Sequence, residues 1–233
     1  MITLRRSNER GHADHGWLDS RFSFSFADYY DPKHMGFASL RVINEDRILP
    51  GGGFPTHPHR NMEIITYVLE GEVEHRDSTG HGAVLRPGEV QYMGAGRGIQ
   101  HSEFNPSQTN TLHLLQIWIH PRQAGGEPRY AQKAFSPELR RGRLCPVASA
   151  DGRDGSIEIR QDATIYATTL GSGEAVTLSP AADRSVWVQL ARGAAMVNNE
   201  SISAGDAAAI SGEVVVLTAQ AGEIAEMLVF DLA

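Results

Sequence analysis

The segment Gly51-Gly-Gly-Phe-Pro-Thr-His57-Pro-His59-Arg-Asn-Met-Glu63 joins a glycine turn to two histidines at i and i+2. On an extended chain, side chains at i and i+2 share a face, so both imidazoles can point into one interior. Pro58 sits between them without an N–H for a ladder, which predicts an edge or irregular strand. A second pair, His101-Ser-Glu103, follows another glycine-rich turn, Gly94-Ala-Gly-Arg-Gly98. Placed on neighbouring strands, the two pairs offer His57, His59, His101 and Glu103 to one divalent metal ion and leave positions open for water or substrate. Neutral imidazole suits iron, nickel, copper and zinc, and a carboxylate partly neutralises the ion's charge.

The flanking sequence reads as strands. Arg21-Phe-Ser-Phe-Ser-Phe26 alternates with period two, the pattern of a strand with one buried face. The runs 37–43 and 62–69 are apolar and partly β-branched, and Leu112–Ile119 is apolar enough for a strand covered on both sides. Turn chemistry separates them at Pro50-Gly-Gly-Gly53, Asp77-Ser-Thr-Gly80 and Arg86-Pro-Gly88. From Pro121 to about Ala150 prolines and glycines break a polar stretch, which reads as a connector. Strand patterning resumes at Ile157 and runs to the C-terminus.

A weak repeat links the two halves. Val68-Leu-Glu-Gly71 followed by Leu85-Arg-Pro-Gly-Glu89 resembles Gln189-Leu-Ala-Arg-Gly193 followed by Ile202-Ser-Ala-Gly-Asp206. The expected organisation is a metal-binding domain over 1–120, a connector over 121–150 and a related, metal-free domain over 151–233. The offsets that place His57 and His59 before Gly71 lead, before Gly193, to Ser179 and Ala181. Those that place His101 and Glu103 after Gly88 lead, after Gly205, to Thr218 and Gln220. None of these is a histidine. All ten histidines of the chain lie between His12 and His120.

Composition narrows the function classes. The 233 residues carry a formal net charge of -7, which disfavours a phosphate backbone as partner. The short basic run around Arg140-Arg141 reads as solvated linker. No apolar run approaches the ~18 residues of a membrane span. The polar start, MITLRRSNERGHADHG, has no apolar signal core, and Cys145 is the sole cysteine, so a reducing cytoplasm is expected. Cys145 itself reads as a structural thiol.

The motifs also carry a family resemblance. The histidine segment followed by Gly71 resembles the first cupin motif, and Gly88 through Gly94-Ala-Gly96 to His101 and Asn105 resembles the second. Phe22-Ser-Phe-Ser-Phe26, Gly36-Phe-Ala-Ser-Leu-Arg-Val-Ile-Asn-Glu-Asp46, Phe54-Pro-Thr-His-Pro-His-Arg60, Gly88-Glu-Val-Gln-Tyr-Met93 and Gly98-Ile-Gln-His-Ser-Glu103 are similar to pirins, a bicupin family. The likeness is dense over residues 10–120 and looser beyond. It implies an all-β bicupin, two tandem jelly-roll-like β-barrels, and a monomer. It also implies that the carboxylate ligand is Glu103. Glu63, one residue early relative to Gly71, becomes a structural carboxylate and the fallback ligand. His12, His15 and His34 read as surface residues, His75, His81 and His113 as structural histidines, and His120 as a strand-end residue.

The resemblance implies quercetin 2,3-dioxygenase activity: opening of a flavonol's central ring with O2 and release of carbon monoxide. The flavonol's 3-hydroxyl oxygen would meet the metal as an anion, with Glu103 as catalytic proton acceptor, or Glu63 if close enough. Iron stands first among the candidate ions, with nickel, copper, cobalt, manganese and zinc as alternatives. The competing expectation is a metal- or redox-sensing regulatory protein whose flavonol cleavage is incidental. A third is a zinc-loaded structural cupin without turnover.

Overall fold

A computed structural model describes residues 1–233. Regular structure is nearly all strand; the helical elements are single turns, among them Pro137–Arg140. No helix is long and apolar enough to cross a membrane. The chain forms two compact units, one of residues 11–134 with 159–161, the other of 1–10, 135–158 and 162–233.

The first strand of the chain, β1 (Ile2–Arg5), belongs to the second unit. The first unit contains β2 (Gly11–Asp14), β3 (Leu18–Phe22), β4 (Leu40–Ile48), β5 (Gly53–His59), β6 (Glu63–Glu70) and β7 (Val73–Asp77). Next come β8 (Gly82–Leu85), β9 (Glu89–Gly94), β10 (Ile99–Phe104), β11 (Leu112–Ile119) and β12 (Arg129–Ala134). Seven of these form a sheet in the order β12-β9-β6-β11-β4-β3-β2, and four form a second in the order β5-β10-β7-β8. Leu18, Ile48, Val68, Leu112 and Leu114 of the larger sheet pack with Val73, Leu85 and Phe54 of the smaller one. The layers stay two separate ladders rather than the expected closed barrel, so this unit is a β-sandwich.

Local chemistry accounts for the placement of its strands. β11, apolar except for His113 and Gln116, lies in the middle of the large sheet between β6 and β4. β5, which carries Pro58, is the edge of the small sheet, where a missing N–H breaks no ladder. The alternation over 21–26 does not persist as a strand. β3 ends at Phe22, and the chain bends so that Ser25 N–H donates to the His34 carbonyl and Phe26 bridges Tyr29.

One rung of the large sheet is polar. Gln132, Gln91, Thr66, Gln116 and Asn44 are register partners across β12, β9, β6, β11 and β4. Neighbours in a ladder share a face. A line of hydrogen-bonding groups therefore crosses the layer from edge to interior.

The second unit repeats this plan. Its large sheet runs β1, Ala207–Ser211, Ser185–Arg192, Ala225–Leu232, Ala163–Leu170, Cys145–Ser149 and Ile157–Glu158. Its small sheet runs Ala175–Leu178, Val215–Ala219, Ala194–Val197 and Glu200–Ser203. The repeat seen in sequence is structural: Gly71 and Gly193 turn at φ 74° and 77°, and Gly88 and Gly205 at 88° and 85°. These left-handed turns favour glycine because a Cβ is crowded there.

Strand pairing divides the chain differently from its linear texture. β1 forms the edge beside Ala207–Ser211, the position that β12 holds beside β9 in the first unit. The stretch 121–150 supplies one strand to each unit, β12 to the first and Cys145–Ser149 to the second. An edge strand needs only a partner ladder, not sequence proximity, so each sheet takes its last strand from where the chain passes.

Candidate metal centre

His57 and His59 project from β5, and His101 and Glu103 from β10, its antiparallel neighbour. His57 stands directly opposite His101 in register. A bulge between His101 and Glu103 shifts the ladder so that Glu103 pairs with Phe54. Such bulges re-aim side chains near functional sites. The ligand atoms of His57, His59 and His101 lie within 4.8 Å of one another, as do those of His101, Glu103 and His75. Ring centroids of the first three are 4.5–4.8 Å apart. The structure thus gathers all four sequence-derived residues on one cavity and adds His75 behind it.

Each group is held by defined partners. His57 Nδ1 faces the Pro55 carbonyl at 2.8 Å, which leaves Nε2 as a lone-pair donor. Burial, reinforced by the nearby His101 and His57 rings, pushes His59 down to about 4. Burial, with His57 and His75 alongside, pushes His101 down to about 3. Both are therefore neutral near pH 7, the form that binds metal. Glu103, 3% exposed, is fixed by the polar rung. The Gln91 amide donates to Oε1 (3.3 Å), the Thr66 hydroxyl lies 3.2 Å from the same oxygen, and the Gln116 amide donates to Oε2 (2.7 Å).

The cavity holds about 430 Å³. Trp17, Phe22, Phe26, Phe54 and Trp118 form apolar wall, and Ser20, Asn44, Asp46 and Gln116 supply polar edge. Trp118 meets His59 edge to face, with centroids 4.9 Å apart, and Phe26 meets Trp118 likewise at 5.3 Å. The wall residues and the rung escape a motif search because they come from seven separate strands and two loops. One signal was present: Thr66, Gln91 and Gln116 are polar residues flanked on both sides by apolar ones within strand runs.

Glu63 lies elsewhere. It is buried, and Oε2 accepts from the Tyr92 hydroxyl (2.6 Å) and the Arg160 N–H (2.7 Å). Burial and the Glu63 charge push the Tyr92 phenol well above its usual range. Glu63 is committed to that contact and is absent from the ligand cluster. His113 is buried against Glu45 (3.0 Å), and His34 and His12 face Asp31 and Asp19 near the surface. His15 is exposed, but it also lines the cavity.

The donor set fits a divalent transition-metal ion. His101 Nε2 is buried without a hydrogen-bond partner, an arrangement that is costly unless a ligand takes the lone pair. Two imidazoles held neutral beside an anchored carboxylate are what such an ion requires.

Residues 3–119 match the Pirin family, and residues 146–232 match the quercetinase C-terminal cupin domain. The chain is 50% identical over 232 residues to quercetin 2,3-dioxygenase of Escherichia coli K12, with 100% of this chain and 99% of that one covered. The chain belongs to the pirin family. This pirin superimposes on the crystal structure of YhhW from Escherichia coli with a TM-score of 0.96 and 50% identity, over 100% and 98% of the two chains. The YhhW structure in complex with nickel(II) gives 0.94 and 49%, over 100% and 99%. This pirin is also 42% identical over 234 residues, spanning both whole chains, to a pirin-like protein of Caulobacter vibrioides.

Proposed function

We propose that this pirin is a metal-dependent dioxygenase that opens the central ring of a flavonol such as quercetin with O2 and releases carbon monoxide. The observation that carries the reading is the convergence of three histidines and Glu103 on a cavity walled by aromatic rings. The family supports the same reading, since a relative of similar length and half-identical sequence is named quercetin 2,3-dioxygenase.

His57, His59, His101 and Glu103 would hold the ion, with iron or nickel the leading candidates. A bound ion of this kind supplies Lewis acidity toward an anionic oxygen and, when redox-active, access to dioxygen. The chain's own groups do the rest. Trp17, Phe26, Phe54 and Trp118 bind a flat aromatic body and exclude water from it. Glu103 accepts the proton of the flavonol 3-hydroxyl, which lies within its reach when that oxygen faces the three imidazoles. The Gln91 and Gln116 amides keep the carboxylate aimed during the transfer.

Elemental analysis of the purified protein, then aerobic quercetin assays of the apo-protein reloaded with single metals, tests this. Loss of flavonol absorbance with release of CO is expected for at least one metal. Glu103→Gln should lower kcat by about 10²–10⁴-fold, the usual worth of a positioned general base. His57→Ala should lose metal and turnover together. Metal retained with no flavonol cleavage under any loading would reject the enzyme reading in favour of a sensing protein.

A further inference from the structure

Behind His101 runs a chain of buried groups that the chemistry above does not use. His75, on β7, is fully buried, and its Nδ1 lies 3.4 Å from His101 Nδ1. Its other nitrogen, Nε2, lies 3.3 Å from Asp77 Oδ2, and both of those side chains are fully shielded from solvent. Tyr130 of β12 stacks on the His75 ring with centroids 5.2 Å apart and planes 26° apart. The same Tyr130 hydroxyl lies 3.2 Å from Gln91 Oε1, and Gln91 in turn holds Glu103.

The hydrogen-bonding valences are satisfied when every group in this chain takes one role. Asp77 also accepts from the backbone N–H and hydroxyl of Thr79 (2.8 and 2.6 Å) and the N–H of His81 (3.2 Å), the pattern of an ionised carboxylate, which only accepts. His75 Nε2 must then carry the proton, and a neutral His75 presents Nδ1 as acceptor. His101 Nδ1–H donates to it, which leaves His101 Nε2 as the bare lone pair. That is the atom found buried without a partner.

We infer that His75 and Asp77 form a positioning relay that fixes His101 in its metal-binding tautomer, orients its ring and strengthens it as a donor. Tyr130 clamps the relay from the side. Such outer partners of a ligating imidazole are worth about 10–100-fold in metal affinity. The inference rests on the reading of His101 as a metal ligand, but not on the identity of the substrate or on turnover.

The test begins with the unmutated apo-protein. Long-range ¹H–¹⁵N correlation spectra of its histidines should show His101 protonated at Nδ1, and His75 protonated at Nε2. The opposite tautomer at either ring overturns the relay. Titration of apo-protein with Ni(II) should then show about 10–100-fold weaker binding in His75→Leu. His75→Gln should recover most of that loss, because its amide can accept from His101 and donate to Asp77. The Co(II) electronic spectrum should shift in His75→Leu and return in His75→Gln. Circular dichroism confirms that both variants fold, and the tautomer measurement stands if either does not. Unchanged Ni(II) affinity and Co(II) spectrum in a folded His75→Leu would reject the proposal. So would X-ray absorption showing His75 itself bound to the ion. Loss of quercetin turnover alone bears only on the dioxygenase reading.

Discussion

At the scale of single residues, the site is assembled from groups whose burial sets their protonation. His59 and His101 stay neutral until about pH 4 and about pH 3 in the folded chain. In the unfolded chain a histidine takes up its proton near about 6.5. Between these values the unfolded state binds more protons, so stability falls as pH is lowered. The metal-free protein should therefore lose stability progressively from about pH 6.5 toward about pH 4, and bound metal should oppose that loss until protons displace it. Urea unfolding midpoints of apo-protein at pH 7 and pH 5 measure the effect. His101→Gln should narrow the gap between them; an unchanged gap would contradict the assignment. The motif residues were readable at this scale because an i, i+2 pair on an extended chain carries its own geometry. The anchors of Glu103 were not, since Thr66, Gln91 and Gln116 meet only through register.

At the scale of elements, the distance between β5 and β10 governs the ligand set. Gly51-Gly-Gly53 reads as turn chemistry, yet its last residue is the first of β5, opposite Phe104. A Cβ on Gly53 would stand 2.4 Å from the Glu103 carbonyl oxygen and 2.6 Å from the Phe104 Cα. Backbone cannot yield as a flexible side chain can, so Gly53→Ala must push the two ligand strands apart. Overpacking of this kind costs about 1–3 kcal/mol. Gly53→Ala should lower the unfolding midpoint and weaken Ni(II) binding together. Gly51→Asn is the control: φ is 71°, nothing lies within 4 Å, and asparagine tolerates that conformation. Its metal affinity should match the parent's. Sequence patterning found β6 and β11 almost to the residue, because their apolar runs have no alternative to burial. It overran at Phe26, whose ring serves the cavity rather than a ladder.

At the scale of the whole molecule, the two units share a plan of sheets but differ in the side chains at corresponding ladders. The ladder matching β5 and β10 is Ala175–Leu178 against Val215–Ala219, in which Leu217 pairs with Val176. Val215, Leu217 and Ala219 are buried in the second unit's apolar core, so side chains fill the space that ligands line in the first. The second sheet is finished by the chain's own start. β1 pairs with Ala207–Ser211, Arg6 donates to Asp206 at 2.9 Å, and the Ser7 N–H donates to Asp206 at 2.7 Å. Removing residues 1–9 would strip a strand from that edge and leave Asp206, 7% exposed, short of its donors. An unsatisfied buried group costs about 1–3 kcal/mol, and a bare edge invites pairing with other chains. The truncated protein should melt earlier and self-associate in size-exclusion chromatography, while metal bound per chain stays unchanged. Loss of metal at equal rate would contradict the separation of roles.

Residue spacing alone determined the four candidate ligands, the all-β class and the repeat, because strand period and turn glycines impose their geometry locally. Tertiary structure alone decided that Glu63 is spent on Tyr92 and the Arg160 N–H, that a polar rung and a His75–Asp77 pair stand behind the histidines, and that residues 1–10 belong with the C-terminal half. Those outcomes depend on which strands become neighbours. Neighbours in a sheet are chosen by the burial of the whole chain, a sum that no short segment contains.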